Sequence, residues 1–202
     1  MTKILVAIKA SPEEISNSTV LLNSFLDGVK SVSDVGINIY DSNTINLHYY
    51  RHDYNEPKDD ETEFKELAKS LQHCSGLVIA TPTYNFNVPS NLKNIIDRLT
   101  FIALDKTKLN ILRQPQGQLK HIKPFFIATG GSPLWAEKIL FFLYPIFWLR
   151  IIFLYYGAHI GGGIYGDSLS FSKPAKDRPR LLAKCYKKGI IYGKYLNKKS
   201  HC

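Results

Sequence analysis

The sequence is poor in the features that mark secreted or metal-binding proteins. Its 202 residues include only three cysteines, and Cys74, Cys185 and Cys202 are far apart with no C-x-x-C pair. This spacing argues against a disulfide framework and against a zinc site. The N-terminal "MTKILVAIKASPEE" lacks the long apolar core and the cleavage site of a signal peptide. We therefore predict a chain of the reduced cytoplasm, with residues 3–9 as a first strand.

Acidic residues are nearly absent from the end of the chain, although they balance the basic residues elsewhere. Residues 1–172 carry 16 Lys and Arg against 16 Asp and Glu, whereas the last 30 residues carry ten against one. Such a local excess fits a solvated helix face, or a surface for a phosphate-bearing cofactor, anionic lipid or nucleic acid. The neutral body and the lack of a basic patch interleaved with aromatic residues argue against nucleic acid.

Length and composition predict a single domain. With 45% apolar and 12% aromatic residues among 202, the chain can bury a full core without dividing into two units. The sequence shows no internal repeat and no low-complexity segment. We assign residues 1–197 to one domain and 198–202 to a short basic tail.

Short apolar segments alternate with helical patterns along the whole chain. Strands are predicted at 3–9, 36–40, 76–80, 124–129 and 159–165, and helices around 21–29, 61–73, 89–102, 139–156 and 179–196. This alternation predicts an α/β fold with a parallel sheet covered on both faces. The helix after the third strand is amphipathic, and its predicted polar face consists of Asn91, Lys93, Asn94, Asp97 and Arg98.

Three loops follow predicted strands at the carboxyl edge of the sheet, where open α/β sheets bind ligands. The first loop, 10–19, sets hydroxyl and amide side chains beside a helix N-terminus, which suits a phosphate. These side chains are Ser11, Ser16, Asn17, Ser18 and Thr19. Alternatively, one of them is an N-cap and the others face water. Glu13 and Glu14 would repel an anion if they pointed inward.

The second and third loops, 81–89 and 129–133, suit a flat heterocycle. The second loop offers stacking surfaces and hydrogen-bonding edges from Pro82, Thr83, Tyr84, Asn85 and Phe86. Alternatively, the second loop is a capped turn whose aromatic side chains fill the core. In the third loop, Gly130 and Gly131 follow Thr129, and they permit either close approach of backbone to a ligand or simply a tight turn. The convergence of all three loops at one edge favours a ligand site.

The chain resembles the NADPH-dependent FMN reductase family of flavodoxin-like proteins. The segment 74–99 is similar to the family motif P-x-Y-N-x-x-x-P-x-x-L-K-N-x-x-D, which is matched at Pro82, Tyr84, Asn85, Pro89, Leu92, Lys93, Asn94 and Asp97. The first loop resembles the family's S-x-R-x-x-S-x-N pattern at Ser11 and Ser16. Glu13 stands in place of its Arg and Ser18 in place of its Asn. The resemblance covers residues 3–165.

This resemblance implies a flavodoxin-like three-layer sandwich with a five-stranded parallel sheet in the order 2-1-3-4-5, and bound FMN. Its phosphate would lie at Ser11, Ser16, Asn17 and Ser18, and its ring at Pro82, Thr83, Tyr84, Asn85, Phe86, Thr129, Gly130 and Gly131. Hydride would pass from NAD(P)H to the flavin, and electrons to a quinone, azo dye or free flavin. Since the flavin supplies the redox chemistry, no catalytic side chain is assigned. The alternative is a non-catalytic FMN-binding electron-transfer module.

The segment "ILFFLYPIFWLRIIFLYY", residues 139–156, is apolar on all sides apart from Arg150. A spanning helix needs about 20 apolar residues, and a central Arg costs about 2.5–3.5 kcal/mol on insertion scales. Spanning would also separate the last strand from its sheet. We predict a core helix with an additional exposed apolar face that forms a homodimer or tetramer interface. Peripheral attachment of this segment and the basic C-terminus to anionic lipid is the alternative.

Overall fold

A computed structural model describes residues 3–51, 56–139, 145–170 and 173–198. In chain order, the strands are β1 (Ile4–Lys9), β2 (Gly36–Asp41), β3 (Gly76–Pro82), β4 (Leu104–Leu109), β5 (Pro115–Gly117), β6 (Pro124–Thr129) and β7 (Gly162–Gly166). The helices are α1 (Asn17–Lys30), α2 (Thr62–His73), α3 (Ser90–Arg98), α4 (Thr100–Ala103), α5 (Leu134–Ile139), α6 (Pro145–Tyr155) and α7 (Pro179–Lys198). Two 3₁₀ turns lie at Leu119–His121 and Ala175–Asp177.

The centre of the molecule is a five-stranded sheet in the order β2, β1, β3, β6, β7. Every neighbouring pair in it is parallel. The residues of β6 are all buried, as are those of β3 up to Thr81, because helices cover both faces of a parallel sheet. The predicted fold and strand order are confirmed, since β6 and β7 are the fourth and fifth strands of this sheet.

A short antiparallel pair, β4 and β5, lies outside the main sheet and was not predicted. Leu104 pairs with Gly117 at its base. The β4 segment "LDKTKL" is mostly polar and exposed, so it lacks the apolar run by which buried strands are recognised. The helix predicted over 89–102 is also divided, because α3 ends at Arg98 and the short α4 follows.

The two faces of the sheet are covered by different helices. Phe64 of α2, Leu92 of α3 and Phe153 of α6 belong to one apolar cluster, whereas Phe25 of α1 and Cys185 of α7 belong to the other. The apolar helix α6 and the basic helix α7 therefore lie on opposite sides of the sheet. The apolar segment 139–156 and the basic C-terminus were considered together for attachment to lipid. The sheet lies between the parts of them that form α6 and α7.

The contact between α1 and α7 requires glycine. A Cβ atom added at Gly189 would overlap the carbonyl oxygen of Phe25, and one added at Gly28 would overlap the carbonyl oxygen of Tyr186. The two helix backbones therefore approach more closely than any larger side chain allows. This packing fixes α7 on the sheet and leaves its basic face toward solvent.

The apolar segment 139–156 does not form one described helix. Ile139 ends α5, α6 begins at Pro145, and residues 140–144 lie outside the described residues. In α6, Leu149 and Phe153 are fully buried while Ile151 and Leu154 are about half exposed, at 48% and 58%. The predicted additional exposed apolar face is thus present on α6. Within the described ranges, no helix combines the length and the apolar character needed to cross a bilayer.

The last helix reaches the start of the predicted C-terminal tail. Helix α7 continues through Lys198, the first residue of the predicted tail. The rest of that tail, residues 199–202, lies outside the described residues.

A buried ion pair ties the long connection between β2 and α2 to helix α3. Arg98 donates to both carboxylate oxygens of Glu61, at 3.0 and 2.6 Å, and the two side chains are 1% and 0% exposed. The same carboxylate accepts the backbone N–H groups of His48 and Lys58, each at 2.8 Å. The prediction that Arg98 lies on the solvated face of the helix is wrong, because its charge is satisfied inside the protein.

Asn94 strengthens the same connection from the polar side of α3. Its amide nitrogen donates to the His48 carbonyl at 3.1 Å, and its amide oxygen accepts the Tyr50 N–H at 2.8 Å. Lys93 and Asp97 form an exposed pair at 2.6 Å. Asn94, a residue of the family motif, thus helps Arg98 to hold the backbone of the β2–α2 connection in place.

We expect the Arg98→Met variant to lose about 3–5 kcal/mol of unfolding free energy, because it leaves the Glu61 carboxylate buried without its cation. Urea unfolding followed by circular dichroism measures this loss. The double variant Arg98→Met/Glu61→Gln should be more stable than Arg98→Met alone, since the buried charge is then removed.

Lys93→Met on the same helix is the matched control. Its ion pair with Asp97 is exposed, so its loss should cost about 1 kcal/mol or less. An Arg98→Met variant no less stable than Lys93→Met would contradict the assigned role of the buried pair.

Candidate functional site

The loops after the parallel strands enclose one cleft at the carboxyl edge of the sheet. It is lined by Ser11, Glu13, Ser16, Asn17, Pro82, Thr83, Tyr84, Thr129, Gly130, Gly131, Leu169 and Ser170. The cleft is shallow and open to solvent, with a cavity volume of about 170 Å³. The structure therefore brings together residues from all three predicted loops.

The first loop presents a capped helix N-terminus to the cleft. Ser16 is the N-cap of α1, and its hydroxyl oxygen accepts the Thr19 N–H at 3.1 Å. The loop is held from outside by Asn43, whose side-chain amide donates to the Ser11 carbonyl. Asn43 in turn accepts from Asn91 at 3.2 Å. The first loop is thus connected to the helix that follows the second loop.

The second loop is a tight turn with Tyr84 at its base. Tyr84 and Asn87 exchange backbone hydrogen bonds of 2.8 and 2.9 Å. Between them, Asn85 and Phe86 have positive φ angles of 47° and 64°, the conformation of type I′ turns. Asn tolerates this conformation well, whereas at Phe86 it costs about 1–2 kcal/mol. The turn leaves the Tyr84 side chain 40% exposed beside the cleft.

The third loop is shaped around Gly130. A Cβ atom at this position would overlap the Tyr165 hydroxyl and would lie 3.3 Å from the Thr83 Oγ1 atom. The Gly130 N–H donates to the Gly166 carbonyl at 3.0 Å, and its carbonyl accepts the Leu169 N–H at 3.1 Å. Only glycine lets the second loop, the third loop and the end of β7 meet here.

A buried polar cluster lies behind this glycine. Thr83 and Glu137 both act on the Tyr165 hydroxyl, and burial of that hydroxyl is the main reason why the pKa of Tyr165 is raised to about 12. Glu137 is only 2% exposed. The Thr83 side-chain oxygen is buried beside this hydroxyl. Because Tyr165 stays protonated at neutral pH, the cluster carries a hydroxyl donor next to the cleft.

One carboxylate lines the cleft. Glu13 stands beside the first loop, and its charge is the second cause, after burial, of the raised pKa of Tyr84. The sequence indicated that Glu13 would repel an anion if it pointed inward. The structure places it on the cleft wall.

Three predicted residues do not line the cleft. Ser18 is 1% exposed, and its hydroxyl lies 3.0 Å from the Ser16 hydroxyl inside the loop. Asn85 and Phe86 form the tip of the second-loop turn, outside the lining residues. For these three, the expected direct contact with a ligand finds no support in the cleft geometry. The remaining nine predicted residues all line it.

Sequence reasoning missed a fourth loop. Leu169 and Ser170 line the cleft after β7, and the Tyr165 hydroxyl at the end of that strand lies against Gly130 of the cleft wall. The signal was available, because β7 is parallel to β6 and its carboxyl end must lie at the same edge. The sequence of this loop, "DSLSFS" at 167–172, also clusters small residues as the other loops do, so its composition gave a second signal.

Known proteins that are similar to this chain include several named as flavin-dependent oxidoreductases. A curated relative from Mycoplasma mycoides subsp. mycoides, named FMN-dependent NADH:quinone oxidoreductase, is 28% identical over 153 residues, which are 66% of this chain and 70% of the relative. An FMN-dependent NADH-azoreductase from Bacillus anthracis, solved with FMN, superimposes with a TM-score of 0.71 at 18% identity over 96% of this chain and 99% of that one.

A second solved structure gives the same fold. The NAD(P)H:quinone oxidoreductase from Methanothermobacter marburgensis has a TM-score of 0.71 at 13% identity, covering 94% of this chain and 98% of that one. The family model described as NADPH-dependent FMN reductase matches residues 2–154. This match covers well over half of the chain and includes the first three loops of the cleft. The family predicted from the sequence is confirmed: the chain belongs to the NADPH-dependent FMN reductase family.

Proposed function

We propose that this chain is an FMN-dependent oxidoreductase that takes hydride from NAD(P)H and passes electrons to a quinone, azo compound, flavin or similar small acceptor. The observation that carries the proposal is the meeting of the three loops in one cleft, with an exposed aromatic ring on one side and Gly130 on the other. Family membership and the functions for which the relatives are named agree with this function.

The ring end of the cleft fits a flat heterocycle. Tyr84 offers an aromatic face at the rim, and the glycine backbone of the third loop offers close approach. The buried Thr83 hydroxyl lies beside the Tyr165 hydroxyl, and because a hydroxyl both donates and accepts, it can also bond the polar edge of a ligand. We assign Pro82, Thr83, Tyr84, Thr129, Gly130 and Gly131 to the ring.

The phosphate end is formed by the N-terminus of α1. Ser11, Ser16 and Asn17 line it, and the helix dipole favours an anion at this position. This end has the shape of a phosphate site, although the Glu13 carboxylate opposes the charge of a phosphate. We assign the FMN phosphate to this end.

Bound FMN supplies the hydride and electron transfer chemistry. The residues of the chain position and shield it. Tyr84 covers one side of the cleft, the Tyr165 hydroxyl supports Thr83 from behind, and Gly130 keeps the third loop free of a side chain. In this account no side chain attacks a substrate or transfers a proton as an essential step.

Two further observations concern the cellular compartment of the protein and its oligomeric state. Cys74 and Cys185 are both buried and are not joined in a disulfide within the described ranges, which suits a reducing cytoplasm. The exposed residues Phe147, Ile151 and Leu154 follow one another at helical spacing on α6. We propose that this apolar face forms the interface of a homo-oligomer, since α6 lies on the opposite side of the sheet from basic α7 and gains no cationic support from α7 for binding lipid.

We expect the purified protein to bind FMN and the bound flavin to be reduced by NADH or NADPH without oxygen. Loss of the flavin absorption band near 450 nm on anaerobic addition of nucleotide, followed by its return on addition of a quinone, measures both halves of the reaction. The protein without nucleotide is the control.

Failure to bind FMN would contradict the proposed function. A bound flavin that neither nucleotide reduces would indicate the non-catalytic electron-transfer module instead.

We expect the protein to sediment as a dimer or larger assembly, and Ile151→Glu to shift it toward monomer, because a charge at an apolar interface is costly. Ile191→Glu on α7 is the matched control, since Ile191 is also exposed, at 60%, but lies on the other side of the sheet. A wild-type monomer that pellets with anionic vesicles would overturn this assignment in favour of membrane attachment.

A further inference from the structure

We infer that the solvent side of α7 is a docking surface for the headgroups of a bilayer that contains anionic lipid. The inference goes beyond the proposed function and does not depend on the flavin site. Three observations carry it: a row of basic side chains along the helix, the absence of acidic partners for them within the described ranges, and an exposed isoleucine in the middle of the row.

The basic side chains of α7 lie along one side of the helix. Residues three, four or seven positions apart share a helix face, and six exposed basic residues of α7 follow this spacing. They form the basic face, which consists of Arg180, Lys184, Lys187, Lys188, Lys194 and Lys198. At 1.5 Å per residue the basic face extends for about 27 Å. It therefore presents positive charge along a line and not at one point.

No acidic residue of α7 offsets this charge. The helix contains neither Asp nor Glu, and Asp177 lies just before its first turn. Within the described ranges, no carboxylate lies within ion-pair distance of the basic face, whereas Lys9, Lys65, Lys93 and Lys108 each pair with an Asp. The charge of the basic face is therefore available to an external anionic surface.

The packing of α7 on α1 holds the basic face toward solvent. On the opposite side of α7, a Cβ atom at Gly189 would overlap the Phe25 carbonyl oxygen, and one at Gly193 would lie 3.0 Å from the Val29 carbonyl oxygen. Rotation of α7 about its axis would bring larger side chains into this contact. An assembly formed through α6 leaves the basic face uncovered, because α6 lies across the sheet.

Ile191 stands in the middle of the basic face and favours lipid as the occupant. Its side chain is 60% exposed, and with Ala183 it lines an open groove among four of the basic residues. An isoleucine here can enter the boundary between headgroups and acyl chains while the lysine side chains extend to the lipid phosphates. It cannot stack on a nucleic acid base as an aromatic ring does.

Sedimentation of the full chain with vesicles tests the inference. We expect vesicles of phosphatidylcholine with about 30% phosphatidylglycerol to bind the protein about thirtyfold or more tighter than phosphatidylcholine alone, because each Lys or Arg near an anionic membrane strengthens binding about fivefold. About 0.5 M NaCl should remove most of this preference. Equal binding to the two kinds of vesicle, or binding to neither, would overturn the inference.

The double variant Lys184→Gln/Lys187→Gln tests whether the basic face carries the binding. It should weaken binding to the anionic vesicles about ten- to thirtyfold. Lys69→Gln/Lys120→Gln is the matched control, because it removes two exposed charges on the other side of the sheet, and it should weaken binding less than about threefold. Equal losses in the two double variants would overturn the placement of the site on α7.

Ile191→Ser separates lipid from other polyanions. It should weaken binding to the anionic vesicles about fivefold or more, because an apolar side chain is lost from the membrane boundary, whereas Ile111→Ser should leave it unchanged. Ile111 is the control because it is fully exposed between β4 and β5.

Competition tests the other occupants. A single-stranded oligonucleotide or polyglutamate, added at the same concentration of anionic groups as the lipid, should displace little of the protein from the vesicles. Displacement of most of the protein, or an unchanged affinity in Ile191→Ser, would overturn lipid as the occupant in favour of a nucleic acid or an acidic protein.

Discussion

Parallel pairing of β1, β3, β6 and β7 is the constraint on which the rest of this structure depends. Because these strands run the same way, their carboxyl ends and the loops that follow them lie at one edge of the sheet. Residues that are more than a hundred positions apart in the chain, such as Ser16 and Gly130, thereby line one cleft. On one face of the sheet, the contact with α7 holds α1, the helix that follows the first loop. On the other face, the Glu61–Arg98 pair holds α3, the helix that follows the second loop.

The sequence predicts the position of a residue well where its role depends on its neighbours along the chain. Apolar strands, turn residues and helical spacing identify the five sheet strands and three of the four loops, and the motif around Tyr84 identifies the family. An N-cap such as Ser16 and a tight turn such as the one at Asn85 depend on few neighbours. For that reason, their positions follow from sequence patterns.

Residues whose role depends on distant partners are harder to predict. Arg98 looks solvated by its position on α3, yet it is buried because Glu61 is placed opposite it by the β2–α2 connection. Tyr165 and Glu137 meet beside Thr83 only through the sheet order. Asn85 and Phe86 belong to the family segment, but the turn geometry carries them to its tip. In each case the deciding contact joins segments that no local pattern connects.

The central claim is that the flavin ring lies against the cleft side of the second loop and not at its tip. FMN affinities of Tyr84→Ala and Phe86→Ala, measured by equilibrium dialysis, test it most directly, since both variants remove an exposed aromatic ring from the same turn. The account predicts that Tyr84→Ala weakens FMN binding about tenfold or more, as expected for a lost stacking partner, while Phe86→Ala changes it less than about threefold. Equal losses in both variants, or a larger loss in Phe86→Ala, would contradict it.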